Sequence, residues 1–277
     1  MGRHTLEYPK SKTNTVRRKA DRATYALSAI HSLINASHFL DVAFNPPDDS
    51  PFPTILPMIG HMGSFDRPSA DLGDPLDLYL HGYVSSRMMN LARSSASSSQ
   101  GGDDEEEKQG QGQQQQQGLP VCIAASHVDA LILATSPFNH SYNYRSATLF
   151  GHATLVTDDA EKLYAMELIT NGIVPGRWAA SRQPPTPAEM QSTSILRVAV
   201  ASGSAKFRDG GVRDDRHDLE DDEAQGRVWT GVLPVFTRIG EPIPTGYSKV
   251  ETPADVKDFV REYNRENEEY VFAAAKK

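Results

Sequence analysis

The chain has 277 residues, 38% hydrophobic and 23% charged, which is enough to bury a core without disulfides or a structural metal. A formal net charge of −8 argues against a general nucleic-acid or anionic-membrane surface. The single cysteine, Cys122, excludes an intrachain disulfide and a cysteine-based metal cluster. No apolar run is long enough to span a bilayer and no signal-peptide core opens the chain, so a cytoplasmic protein is expected.

Residues 1–9 read as a flexible terminus. Six cations follow, Lys10, Lys12, Arg17, Arg18, Lys19 and Arg22, either as a solvated arm or as one that lends charge to a phosphate. Asp21 is placed to cap a helix over 22–36, with Tyr25, Ala29, Ile30, Leu33 and Ile34 on one face. Strands are expected at 39–44 and 53–62, the second with Pro57 marking an edge or bulge, and at 76–81, which alternates as a half-buried strand should. A short helix over 85–93 runs into residues 94–118, a serine, acid and glutamine tract too polar to offset its ordering entropy and read as a disordered insertion.

Beyond the insertion, 121–126 and 130–135 form an expected hairpin turning at His127-Val128-Asp129. A long strand covers 144–156 with Gly151 as a bulge candidate, and Asp158 or Asp159 caps a helix that ends at Gly172. Two strands are expected at 195–200 and 205–208, a polar loop at 209–226, and a strand at 231–235. Residues 243–277 read as a charged helical tail. Many closely spaced strands without regular strand–helix alternation predict a mainly β (α+β) closed or split antiparallel barrel with peripheral helices, spanning 10–242.

Four segments have the residue types for ligand chemistry. In Leu80-His81-Gly82-Tyr83-Val84-Ser85-Ser86-Arg87 a strand ends and a helix begins with two hydroxyls and a guanidinium. This is either an ordinary serine cap with a surface arginine or an anion site built on a helix N-terminus. The run from Ser136 through Asn143, Tyr144, Arg145 and Ser146 is either a loop anchored by tyrosines or a face for an aromatic ring system with polar edges. Trp178, after Pro175-Gly176-Arg177, either plugs a barrel end or stacks on a planar ligand. Lys206 and Arg208 share a strand face as a solvated edge or as positive charge for a ligand. The nine histidines are scattered and no pair has metal spacing with a carboxylate, so no metal is expected. Cys122, in an apolar strand pattern, is expected to be an inert thiol.

Taken in order, Arg18-Lys19-Ala20-Asp21-Arg22, Phe52-Pro53-Thr54, Leu78-Tyr79-Leu80-His81-Gly82 with Ser86-Arg87, Val121-Cys122-Ile123, His140-Ser141 with Asn143-Tyr144-Arg145-Ser146, Val174-Pro175-Gly176-Arg177-Trp178 and Ser204-Ala205-Lys206 form a recognisable series. It resembles the flavin-nucleotide-binding family related to pyridoxamine 5′-phosphate oxidase, in the branch that is also similar to the 5-nitroimidazole-resistance reductases. The resemblance implies an FMN-binding split β-barrel that dimerises with itself and holds FMN between subunits. It makes Ser85, Ser86 and Arg87 candidates for the FMN phosphate, and Asn143, Tyr144, Arg145 and Ser146 candidates for the ring or ribityl chain. Trp178 and Lys206 are further candidates from the second subunit, and His81 is a candidate cofactor contact.

The arginine–histidine element with which pyridoxamine-phosphate oxidases grip their substrate has no counterpart at this C-terminus, which argues against pyridoxal phosphate synthesis. No residue is singled out as catalytic, because flavin chemistry asks the protein mainly for binding and orientation. Three functions are compatible with the resemblance: an oxidoreductase that reduces a small electron-poor molecule with NAD(P)H, a protein that holds FMN without turnover, and a haem-binding or haem-degrading member of the fold.

Overall fold

A computed structural model describes residues 5–46, 51–97 and 118–277. These residues divide into two compact units, one formed by 1–125 and 147–205, the other by 126–146 and 206–277. In chain order the elements are a 3-10 turn (Ala20–Arg22), β1 (Ala23–Thr24), α1 (Leu27–Asn35), β2 (Leu40–Phe44), β3 (Thr54–Gly63), β4 (Asp77–Tyr83), α2 (Arg87–Ser97) and β5 (Leu119–Leu133). There follow a 3-10 turn (Pro137–Asn139), β6 (Ser141–Leu155), α3 (Asp159–Ile173), α4 (Pro187–Ser192), β7 (Thr193–Arg208), α5 (Arg216–Leu219), α6 (Asp222–Arg227), β8 (Gly231–Pro234) and α7 (Ala254–Ala275).

In the first unit the strands run β1-β7-β4-β3-β2-β5-β6, and a further β7–β6 pairing closes the sheet on itself. The expected split antiparallel barrel with peripheral helices is therefore what the chain forms. Its ladders set Val42 opposite Leu56 and Ile123, Gly60 opposite Leu80, and Leu80 opposite Leu196. Gly60 has no room for a side chain: a Cβ there would lie 2.6 Å from Leu80 Cδ2 and 2.7 Å from the Tyr79 carbonyl oxygen.

The half-buried alternation expected at 76–81 fails, since Leu78, Tyr79 and Leu80 are all fully buried. Helix α3 covers the face that would have met solvent and packs Ala165 and Ile169 against Tyr79, Val156 and Ile195. The phenol of Tyr79 donates to Glu161 Oε1 at 3.0 Å and the Arg197 guanidinium donates to the same oxygen at 3.1 Å, so the polar atoms under the helix are paired. The Asp158 cap forms as its sequence position predicts, accepting from Glu161 N at 2.7 Å.

Several expectations are corrected. Residues 121–135 are one continuous strand, β5, and His127-Val128-Asp129 is not a turn; no glycine or proline is present to make one. Residues 195–208 are likewise one strand, β7, running through Ser202-Gly203-Ser204. The first helix starts at Leu27 rather than 22, because 20–24 form a 3-10 turn and a short strand, and Asp21 does not cap it. The segment from Thr5 to Pro9 is tied down: Glu7 bridges Ala26 and Tyr8 is buried. Residues 94–97 belong to α2, and the rest of the expected insertion, 98–117, lies outside the described residues. Within 209–226 the short helices α5 and α6 form, the latter capped by Asp221, which accepts from Ala224 N at 2.9 Å.

In the second unit the end of β5 pairs with β8, Ala130 opposite Pro234 through Leu133 opposite Gly231. Helix α7 buries Val271 and Ala274, and the Ala274 carbonyl accepts from Gly210 N at 2.8 Å. Asn264 on the same helix binds the backbone of Ile239 on both sides, donating to its carbonyl at 2.9 Å and accepting from its N–H at 2.8 Å. The tail is thus part of a packed unit. No helix among the described residues is long and apolar enough to cross a membrane.

Helix α1 places His31 in the core of the first unit with both ring nitrogens used. Nε2 meets the Tyr8 hydroxyl at 2.7 Å and Nδ1 meets the Leu72 carbonyl at 2.9 Å. A carbonyl can only accept, so Nδ1 holds the proton and Nε2 accepts from Tyr8. Burial lowers the His31 pKa to about 4. The unfolded chain, with an ordinary histidine pKa of about 6.5, binds the proton first as pH falls, so the contribution of His31 is complete above that value and is lost on the way down to about 4. Urea midpoints measured across this interval should fall with pH. His31→Phe should start lower, having orphaned the Tyr8 hydroxyl and the Leu72 carbonyl, and should show a shallower slope; equal slopes would place the titrating group elsewhere.

Candidate functional site

Strand β4 ends at His81-Gly82-Tyr83 and the chain turns directly into α2. Gly82 permits that turn because a Cβ there would stand 2.3 Å from Met89 Cε. Met88 and Met89 are buried under the helix, which leaves Ser85 and Arg87 exposed at its start. Ser86 caps the helix in part, its hydroxyl accepting from Met89 N at 3.4 Å. An eleven-residue helix that opens with an exposed serine and arginine provides N–H groups and positive potential for an anion.

His81 lies on the sheet face that also bears His61. The β3–β4 register sets Ile59 opposite His81 and His61 opposite Tyr79, making the two histidines diagonal neighbours about 7–8 Å apart at the backbone. Burial lowers both pKa values below the ordinary histidine range, which keeps both rings neutral at pH 7. Neither ring makes a hydrogen bond among the described residues, and Gly172 of α3 closes over His61, its Cβ position only 2.7 Å from His61 Nδ1. Sequence reasoning missed His61; the only signal was its place in a strand of alternating burial, visible once the register with β4 is known. Trp178 belongs to the same unit, half-buried after α3, its backbone N–H held by Asn171 Oδ1 at 2.9 Å.

The remaining predicted residues lie in the second unit. Asn143 is fully buried and bound at both ends: Nδ2 donates to the Gly210 carbonyl at 2.9 Å, and Oδ1 accepts from Arg208 at 2.8 Å. Arg145 holds Asp129 through three contacts of 2.8–3.1 Å, and its guanidinium lies 4.0 Å from the centre of the Tyr270 ring. Ser146 donates to the Lys206 carbonyl at 3.4 Å, and Tyr144 is half-buried. The structure therefore places these residues in three neighbouring polar contacts of the second unit: Asn143 with Arg208, Arg145 with Asp129 and Tyr270, and Ser146 with the Lys206 backbone. His81, Ser85, Ser86 and Arg87 form a separate group in the first unit. Asp129 was missed because its neighbours suggested a turn; an acid inside an otherwise apolar strand was the available signal.

Cys122 is half-buried and its thiol pKa is raised by burial, as an inert thiol requires. Asp215, His217 and Asp218 bring potential ligand atoms within 4.8 Å of one another, but Asp215 and His217 stand in solvent.

The Asp129–Arg145 pair is nearly closed to water, with side-chain exposures of 2% and 16%. Removing one partner of such a pair strands the other charge. Arg145→Met should cost about 3–5 kcal/mol in urea unfolding, and adding Asp129→Leu to it should recover a large part. A loss below about 1 kcal/mol for Arg145→Met would show the pair to be as weak as a surface ion pair.

Residues 105–207 match the family model described as pyridoxamine 5′-phosphate oxidase. Among solved structures the chain is similar to the flavocytochrome Anf3 from Azotobacter vinelandii, with 25% identity and a TM-score of 0.68 over 92% of this chain and 99% of that one. It is also similar to an FAD- and haem-binding protein from Mycobacterium smegmatis, with 24% identity and a TM-score of 0.64 over 86% of this chain and 97% of that one. No curated protein matches it by sequence. Matched in sequence through its middle and in fold over nearly its whole length, the chain is similar to the pyridoxamine 5′-phosphate oxidase-related split-barrel proteins.

Proposed function

We propose that this protein binds a flavin nucleotide and uses it as an oxidoreductase on a small electron-poor molecule, with NAD(P)H as donor and a second copy of the chain completing the site. The observation that supports this most is the nearly full-length likeness to a protein named as a flavocytochrome. The residues present suit the group. The start of α2, with Ser85 and Arg87 exposed at a helix N-terminus, fits its phosphate. On the family resemblance, Tyr144 is a candidate for the ring or ribityl chain and Lys206 a further candidate contributed by the second copy. Asn143 and Arg145, whose polar atoms are engaged within the chain, act as positioning residues that fix β6. Bound flavin supplies hydride and electron transfer; the chain's task is to hold and orient it.

FMN is what the family resemblance implies, whereas the relative from Mycobacterium smegmatis is named for FAD. Chromatography of the cofactor released from purified protein decides between them, with FMN the expected result. A second reading, haem held in addition to flavin, is favoured by the names of both relatives and by the two neutral imidazoles of His61 and His81.

The purified protein should show flavin bands that bleach on anaerobic addition of NADPH. Arg87→Ala should weaken flavin binding by about 1.5–3 kcal/mol, the value of one charge-assisted contact. Bands that do not bleach would leave a flavin holder, and a colourless protein that cannot be reconstituted with FMN or FAD would overturn the proposal. Haem titration should give a Soret band that His81→Ala or His61→Ala shifts or removes. The same band in both variants would exclude both histidines as ligands.

A further inference from the structure

Helix α7 and the segment 236–242 bound a cleft of about 730 Å³ in the second unit. The segment runs opposite to the helix. Its start is tied to the C-terminal half of α7, because Val235 N donates to the Asp129 carbonyl at 2.9 Å and Asp129 holds Arg145, whose guanidinium lies over the Tyr270 ring. Farther along, Asn264 binds the Ile239 backbone on both sides. Phe236 and Phe272 therefore stand toward one end of the cleft, and Lys257 lies about 10 Å along the helix from Asn264 toward the other.

Two of the helical charges are satisfied locally: Arg261 is held by Asp258 at 2.8 Å, and Arg265 by Glu269 at 3.3 Å. Four lining groups form no ion pair among the described residues, the cations Arg238 and Lys257 and the carboxylates Glu241 and Glu268. A simple anion would meet the carboxylates, and a simple cation the basic groups. The lining suits a larger molecule that carries negative charge on one part and hydrogen-bond donors beside a flat ring on another. The volume is in the range of small-molecule sites.

We infer that this cleft binds a nucleoside diphosphate group, with the phosphates at Arg238 and Lys257 and the nucleoside at Phe236, Glu268 and Phe272. A guanidinium pairs with two phosphate oxygens at once, and an ammonium adds a point charge. The two phenyl rings offer apolar faces to the base, and the Glu268 carboxylate accepts from sugar hydroxyls or a base amino group. Two sources share this chemistry, a free nucleotide and the pyridine dinucleotide of the proposed oxidoreductase. The site does not depend on flavin binding; only its assignment to the dinucleotide rests on that reading.

Calorimetric titration of the full-length protein with ADP tests it. Saturable binding is expected, with inorganic pyrophosphate held about tenfold or more weakly because it lacks the stacking base. Arg238→Glu and Lys257→Glu should each weaken ADP about tenfold or more. Glu268→Gln should weaken ADP and leave pyrophosphate unchanged. Unfolding curves and, where it binds, flavin content should match the wild type in all three variants, which separates loss of this site from misfolding and from failure of the flavin reading. Competition between NADP⁺ and ADP, with a raised KM for NADPH in Lys257→Glu, would support the inference and assign the site to the dinucleotide. ADP binding without such competition would support it and assign the site to a free nucleotide. No saturable ADP binding, pyrophosphate bound as tightly as ADP, or ADP affinity unmoved by either charge reversal would each overturn the inference.

Discussion

The first unit depends on the closure of its sheet, and closure depends on one strand serving several ladders. β7 pairs with β4 from Thr193 to Val198, with β1, and again with β6. An open sheet of this size would leave a row of unpaired backbone groups at each end; closure removes them. The approach of β6 to β7 is tight enough to dictate composition. At Gly151 a Cβ would lie 2.4 Å from the Ala199 carbonyl oxygen and 2.9 Å from a Val198 methyl group, so only glycine lets the strands meet there. Gly151 is thus required by close approach. Gly203 on β7 has a similar duty, with Leu149 and Tyr8 packed where its side chain would be.

Closure also orders what lies outside the barrel. Asn14, almost fully buried, donates to the Gly203 carbonyl at 2.9 Å and so ties the basic N-terminal stretch to β7. Helix α3 then fills the outer face of β4 and β7 where Tyr79 and Ile195 project, and the Glu161 carboxylate satisfies both the Tyr79 phenol and Arg197. A carboxylate 8% exposed is tolerated there because it has two donors. The same helix brings Gly172 over His61. The burial that follows lowers the pKa of that imidazole, as burial does for His31. Only His31 has both ring nitrogens used, which distinguishes a histidine spent on the core from two, His61 and His81, that retain a lone pair.

Much of this was legible in the sequence, and the failures have physical causes. The barrel class, β2, β3, β4, the Asp158 cap and the C-terminal helix follow from alternation, capping and periodicity. β5 and β7 were each broken in two because polar or small residues interrupt their apolar pattern. In β5 the interruption includes Asp129, whose charge is neutralised by Arg145 on the neighbouring strand. In β7 it is Ser202-Gly203-Ser204, where Gly203 is demanded by packing and not by a turn. Neither cause is local, so no window of sequence contains it. The exposed serine and arginine at the start of α2 were readable because they are near neighbours in the chain. The pairing of His61 with His81 was not, since it exists only through the β3–β4 register.

The network around Arg145 shows why a strongly patterned block need not touch a ligand. Asn143 and Arg145 share one face of β6 and Ser146 lies on the other, and their partners come from β5, the end of β7 and α7. A buried ion pair gains little net stability over a well-packed apolar pair, yet it tolerates almost no displacement, because any misalignment leaves a charge without its partner. Arg208 adds to this by binding Asn143 Oδ1 and the Tyr142 carbonyl, fixing the first turn of backbone in β6. Such a network specifies register more than it adds stability. Polar residues spent on rigidity also leave the choice of ligand to their neighbours, so substitution at Arg145 is a question of geometry before it is one of binding.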